Sequence, residues 1–130
     1  DAGGAVAAIE LGANAVAVER GGIARRTNHF VSAELADETL ESEGDRISST
    51  SQRRFAYLDR ALPRLTWTVA ELIQLMARHE DDTPDGAPIC QHGRGGSAQT
   101  ISSAVYSARD RCLYFHEGNP CLGNWKRFAL

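Results

Sequence analysis

Six consecutive residues, Arg25-Arg26-Thr27-Asn28-His29-Phe30, bring together two cations, a hydroxyl, an amide, an imidazole and an aromatic ring. They follow an alternating apolar run, so they are expected where a strand runs out into a loop. A rigid scaffold there presents polar side chains to a ligand. The same residue types also make an ordinary polar turn closed by Thr27 and Asn28, because asparagine bonds readily to its own backbone. Taken alone, the segment leaves both readings open.

A second set of polar residues lies on a helix. Ser48-Ser49-Thr50-Ser51 offers several N-caps. Phe55, Leu58 and Leu62 then share one helical face, and Pro63 stops the run. Ser51, Arg54, Phe55 and Leu58 are spaced i, i+3, i+4 and i+7, which turns Arg54 inward, whereas Arg53 and Arg60 point elsewhere. An inward arginine is paired, serves an anionic ligand, or snorkels its head to water, because an unpaired buried charge is costly.

The remaining elements must position these residues. Gly4 to Leu11 and Ala15 to Glu19 alternate around Gly12-Ala13-Asn14 and predict a hairpin, whose alanines suggest a closely packed layer. Gly21-Gly22 ends the second strand, and Ile23 to Arg26 reads as a short third one. Ser32 to Asp45 is rich in acidic residues and reads as a solvated, mobile loop. Thr68 and Glu71 form a capping box for a second helix carrying Val69, Leu72, Ile73 and Met76 on one face and ending near His79. Residues 80–86 are turn-rich. Gln99 to Ser107 and Arg111 to Glu117 make a second hairpin, Gly118-Asn119-Pro120 ends it, and Trp125, Phe128 and Leu130 form an apolar tail expected to pack down. The order hairpin, strand, two helices, hairpin predicts an α+β fold with mainly antiparallel sheet and a helical pair.

Composition narrows the function classes. At 130 residues, 42% hydrophobic and 24% charged, the chain is sized for one domain, 1–130. A net charge of -3 gives no general attraction to nucleic acid or an anionic membrane. No apolar run approaches the roughly 18–20 residues of a membrane span. Asp1-Ala2-Gly3-Gly4 lack the basic and apolar regions of a signal peptide, which makes the cytoplasm the default expectation. Three cysteines without a CxxC pair are no disulfide framework. Cys90-Gln91-His92 is the nearest approach to a metal spacing, and without a second pair it does not make a zinc motif, so no metal and no cofactor are expected. The glycines of residues 93–97 lack the Lys-Ser/Thr of a phosphate loop.

Thr27-Asn28-His29-Phe30, Ser51-x-x-Arg54, Ile89-Cys90-x-His92, Gln99-Thr100 and Gly118-Asn119-Pro120-Cys121 occur in an order that resembles one family. It is the acyl-coenzyme A:6-aminopenicillanic acid acyltransferase-like group, also called the C45 peptidases. These are N-terminal-nucleophile hydrolases with an αββα sandwich, related to the choloylglycine hydrolases. The resemblance implies that the chain is the C-terminal portion of such a sandwich. It further implies that Asn28 is the oxyanion donor, that Arg54 (with Arg53 the runner-up) is the arginine of the helix start, and that Thr27, His29, Phe30 and Ser51 line the substrate site.

The family's nucleophile is a cysteine exposed by self-cleavage. Here the chain begins at Asp1, and Cys90, Cys112 and Cys121 are not near an end that could serve. The resemblance therefore implies part of an amidase or acyltransferase for linear amides whose nucleophile lies outside these residues, inactive by itself. The expected partners are a small acyl amide or acyl donor, the missing N-terminal portion, and further copies of the chain. A non-catalytic binding or assembly module that keeps only the fold is the alternative.

Overall fold

The computed structural model describes residues 5–38, 46–63, 66–93 and 98–130, and the chain divides into two compact units, Asp1–Pro63 and Arg64–Leu130. The described residues hold two antiparallel sheets and two α-helices, an α+β fold. The glycine-rich residues 94–97 and the acidic residues 39–45 lie outside the described residues.

In the first unit β1 (Val6–Leu11) and β2 (Val16–Gly21) form the expected hairpin, with Ile9 opposite Val18 and Leu11 opposite Val16. Its two faces are used in the opposite sense to the usual one. Ile9, Leu11, Val16 and Val18 are exposed, while Glu10 on the other face is only 6% exposed. The close layer suggested by the alanines does not cover this apolar side.

Residues 23–26 are not a third strand. Side chains hold this segment instead of a backbone ladder. Arg26 spans Glu10 and Glu19, and Arg25 pairs with Asp59 and lies 5.5 Å over the Phe55 ring.

Nor is the start of the acidic stretch a loose loop. Ala33–Glu38 is a 3-10 helix whose Leu35 is fully buried. Glu38 reaches back to accept the backbone N–H groups of Ala13 and Asn14 at the hairpin turn. Gly12 permits that approach, since a Cβ there would collide with the Glu38 carboxylate and the Leu35 side chain. The unit's α-helix, α1 (Arg46–Ala61), begins slightly before the serine-threonine run and ends ahead of Pro63.

In the second unit α2 (Val69–Met76) opens with the predicted capping box: the Thr68 hydroxyl accepts the Glu71 N–H, and the Glu71 carboxylate accepts the Thr68 N–H. The helix closes at Ala77, ahead of His79, and a short 3-10 turn Glu80–Asp82 follows. β3 (Ser102–Ser107) and β4 (Cys112–Glu117) form the second hairpin. Of the apolar tail only Trp125 packs, half-buried against the His116 ring and donating from Nε1 to the Pro120 carbonyl. Lys126–Ala129 pairs with β4 as an edge strand, β5, and Phe128 and Leu130 stay exposed. Ladder hydrogen bonds satisfy its backbone without requiring its side chains to be buried. The inward face of β3 and β4 is mixed, with Ser103, Val105, Cys112 and His116 all buried.

Leu35 is the fully buried apolar side chain beneath the hairpin turn, so Leu35→Ala should cost about 2–5 kcal/mol by transfer and cavity formation. Exposed Ile9→Ala should stay within about 0.5 kcal/mol. Urea unfolding of the two variants checks the contrast.

Candidate functional site

The six-residue segment occupies the space between two buried polar anchors. On one side is Glu10 of β1. Its carboxylate accepts the N–H of Val31 at 2.6 Å and of Ser32 at 2.9 Å, and faces Arg26 Nε at 3.2 Å. Burial pushes this carboxyl up, but the two N–H groups and the Arg26 charge outweigh that and hold it below the usual carboxylate range. Arg26 continues to Glu19 at 2.8 Å and donates to the Arg25 carbonyl at 2.7 Å.

On the other side is Ser51 of α1, fully buried. Its Oγ accepts the Asn28 N–H at 2.6 Å, and lies 2.7 Å from His29 Nδ1 and 2.9 Å from Thr27 Oγ1. The Thr27 hydroxyl in turn donates to the Ser51 carbonyl at 3.0 Å. Counting protons gives one arrangement in which every one of these contacts carries a hydrogen. Thr27 donates to the carbonyl, Ser51 donates to Thr27, and both Asn28 N–H and His29 Nδ1–H donate to Ser51. His29 Nδ1 then carries a hydrogen, and it also lies 3.1 Å from Thr27 Oγ1. Its ring meets Phe55 edge-on at 5.6 Å.

Arg54, three residues beyond Ser51, donates from Nη2 to Asn28 Oδ1 at 2.7 Å. Holding Oδ1 orients the amide and makes Nδ2–H the group that Asn28 can offer. Burial lowers the Arg54 guanidinium below its ordinary value. It is a half-buried cation matched to one neutral oxygen, which suits it to orienting an amide.

These residues meet at a cavity of about 440 Å³. Thr27, Asn28, His29 and Phe30 border it together with Arg26 and the Glu10 end of β1. Asn28 is exposed. Ser51 and Arg54 are not among the lining residues. Both act through Asn28 and its neighbours, so the helix positions the site and the loop forms its wall.

Glu10 was missed in the sequence. Its one signal is a lone carboxylate inside an otherwise apolar strand, and that does not say which backbone groups it will satisfy.

Because the folded pKa of Glu10 is depressed, its contribution to stability is present above the ordinary value of 4.5 and is lost as the pH falls through the depressed one. Glu10→Gln should lower stability at neutral pH by about 1.5–3 kcal/mol, the range for hydrogen bonds to a charged group. It should also flatten the loss of stability below the ordinary carboxylate pKa. Unfolding titrations of both proteins across pH 3–7 measure it.

Comparison with known proteins adds one finding. A family model described as acyl-coenzyme A:6-aminopenicillanic acid acyl-transferase matches residues 1–121. No curated protein and no solved structure matches the chain.

Proposed function

The chain belongs to this acyltransferase family, and we propose that it forms part of an amidase or acyltransferase for linear amides in which Asn28 is the oxyanion donor. The observation that carries the proposal is the double fixation of Asn28. Its backbone N–H is held by Ser51 and its Oδ1 by Arg54, and the residue borders the cavity; in this reading the remaining Nδ2–H group is the one offered to the substrate.

An amide carbonyl attacked by a thiolate becomes a tetrahedral oxyanion. A donor already held in place stabilises it without reorganisation at the moment of reaction. The C–S bond forms, and the amine then leaves with a proton as the C–N bond breaks. Water or a second amine releases the acyl group from the resulting thioester. The nucleophile in this reading is an N-terminal cysteine of the complete protein, supplied from outside the present chain. Thr27, His29 and Phe30 meet the substrate, and Phe30 gives the wall an aromatic surface for an acyl chain.

Two further features support the reading. The exposed apolar face of Ile9, Leu11, Val16 and Val18 suits cover by the remaining strands of an αββα sandwich, and without them would favour association between copies. The same reading keeps the cytoplasm as the protein's location. Among the described residues no helix is long and apolar enough to cross a membrane.

In the complete protein, Asn28→Ala should lower turnover of short acyl amides by about 10²–10³-fold with little change in unfolding midpoint. The 130-residue chain alone should show no turnover. Steady-state assays beside thermal unfolding check both. Full activity in Asn28→Ala would remove the oxyanion role, and turnover by the isolated chain would relocate the nucleophile to one of its own cysteines.

A further inference from the structure

In the second unit four side chains that are far apart in sequence converge on one point. The donor atoms of His79, Cys90, His92 and Cys121 all lie within 4.8 Å of one another. His92 Nε2 is the hub, at 3.1 Å from His79 Nε2, 3.3 Å from Cys121 Sγ and 3.7 Å from Cys90 Sγ. An imidazole nitrogen has one in-plane lone pair or one N–H, so hydrogen bonding can satisfy only one of these three neighbours. A cation at the centre of the four satisfies all of them.

The distances identify the kind of cation. With Zn–S near 2.3 Å and Zn–N near 2.0–2.1 Å, a tetrahedral ion spaces its donors roughly 3.3–3.8 Å apart. The three contacts of His92 lie close to that range. Two sulfurs and two imidazoles are the soft donor set of zinc, and calcium or magnesium would require oxygen.

The surroundings are arranged for the same purpose. His79 Nδ1 lies 3.2 Å from Asp82 Oδ2, which leaves Nε2 bare to bind a metal. The carboxylate also accepts the His79 backbone N–H at 3.0 Å, so both ring and backbone are fixed. A carboxylate behind a ligating histidine is the usual outer partner in zinc sites. Asn119 Nδ2 lies 3.6 Å from Cys90 Sγ and donates to the Gln91 carbonyl at 2.5 Å, placing a donor beside the sulfur. The Cys90 N–H donates to the Arg78 carbonyl at 2.8 Å, tying the loop to the residue next to His79.

We propose that His79, Cys90, His92 and Cys121 form a tetrahedral zinc site of the second unit. All four positions are filled by protein, which makes the site structural, with no open position for a substrate. It clips together the segment that follows α2, the 90–92 loop and the turn Pro120–Leu122. The sequence offered only Cys90-x-His92, because His79 and Cys121 arrive from outside any recognised spacing.

The test is metal content of the purified chain by mass spectrometry, with cobalt(II) replacing zinc as a spectroscopic probe. One equivalent of zinc per chain is expected, and cobalt should give thiolate charge-transfer bands with the intense visible absorption of a tetrahedral ion. Cys90→Ser and Cys121→Ser should abolish both signals, and Cys112→Ala should keep them. Substitutions outside the buried interior avoid the question of folding: at half-buried His79, His79→Gln should weaken zinc retention against a chelating indicator, and at exposed Asp82, Asp82→Asn should weaken it about 10–100-fold. A chain that binds neither zinc nor cobalt with all three thiols reduced would overturn the site. So would a native Cys90–Cys121 disulfide, or zinc content unchanged in Cys90→Ser and Cys121→Ser. None of these readouts uses acyl-transfer activity, so the zinc site and the proposed acyl chemistry stand or fall separately.

Discussion

A fully buried hydroxyl has one proton and two lone pairs and no water to satisfy them. Ser51 meets that constraint entirely with Thr27, Asn28 and His29. Each net hydrogen bond contributes only about 1 kcal/mol, but an unmet buried partner costs about 1–3 kcal/mol, so the arrangement has few alternatives. The rotational phase of α1 thereby dictates where the Asn28 amide stands. Arg54, one turn on, takes up the other end of the same amide. The loop that borders the cavity is in this way held by a helix whose own side chains are not among the lining residues.

Glu10 imposes the complementary constraint from the hairpin. Its carboxylate takes two backbone N–H groups just beyond the motif and faces Arg26 at the motif's start. Between these two anchors the chain has no need of a strand ladder, because side chains satisfy backbone groups that a neighbouring strand would otherwise bond. That accounts for the irregular backbone of residues 23–31 and for the polar side of β1 being the buried one.

The second unit follows the same logic with different chemistry. Its interior is small and partly polar, with Thr83, Ser103, His116 and Asn119 buried alongside Leu75, Ala87, Cys90, Val105 and Cys112. Apolar burial on that scale is modest, and a metal cross-link between three loops would supplement it as it does in other small domains.

Much of the fold was legible because it depends on local rules. Glycine-bounded alternation marks both hairpins, the Thr68–Glu71 pair marks the start of α2, and the spacing of Ser51, Arg54 and Phe55 marks the face that α1 presents to the loop. The motif order was enough to indicate the family. Three decisions belonged to tertiary structure. Strand periodicity separates the two faces of β1 but cannot say which one is covered, so the burial of Glu10 and the exposure of Ile9 were invisible. Residue type also does not reveal whether a polar side chain lines a cavity or stands behind it, which is how Ser51 and Arg54 differ from Asn28. Finally, His79, Cys90, His92 and Cys121 become neighbours only after α2, a loop and a turn fold onto one another, because donor convergence is a property of space that no sequence interval encodes.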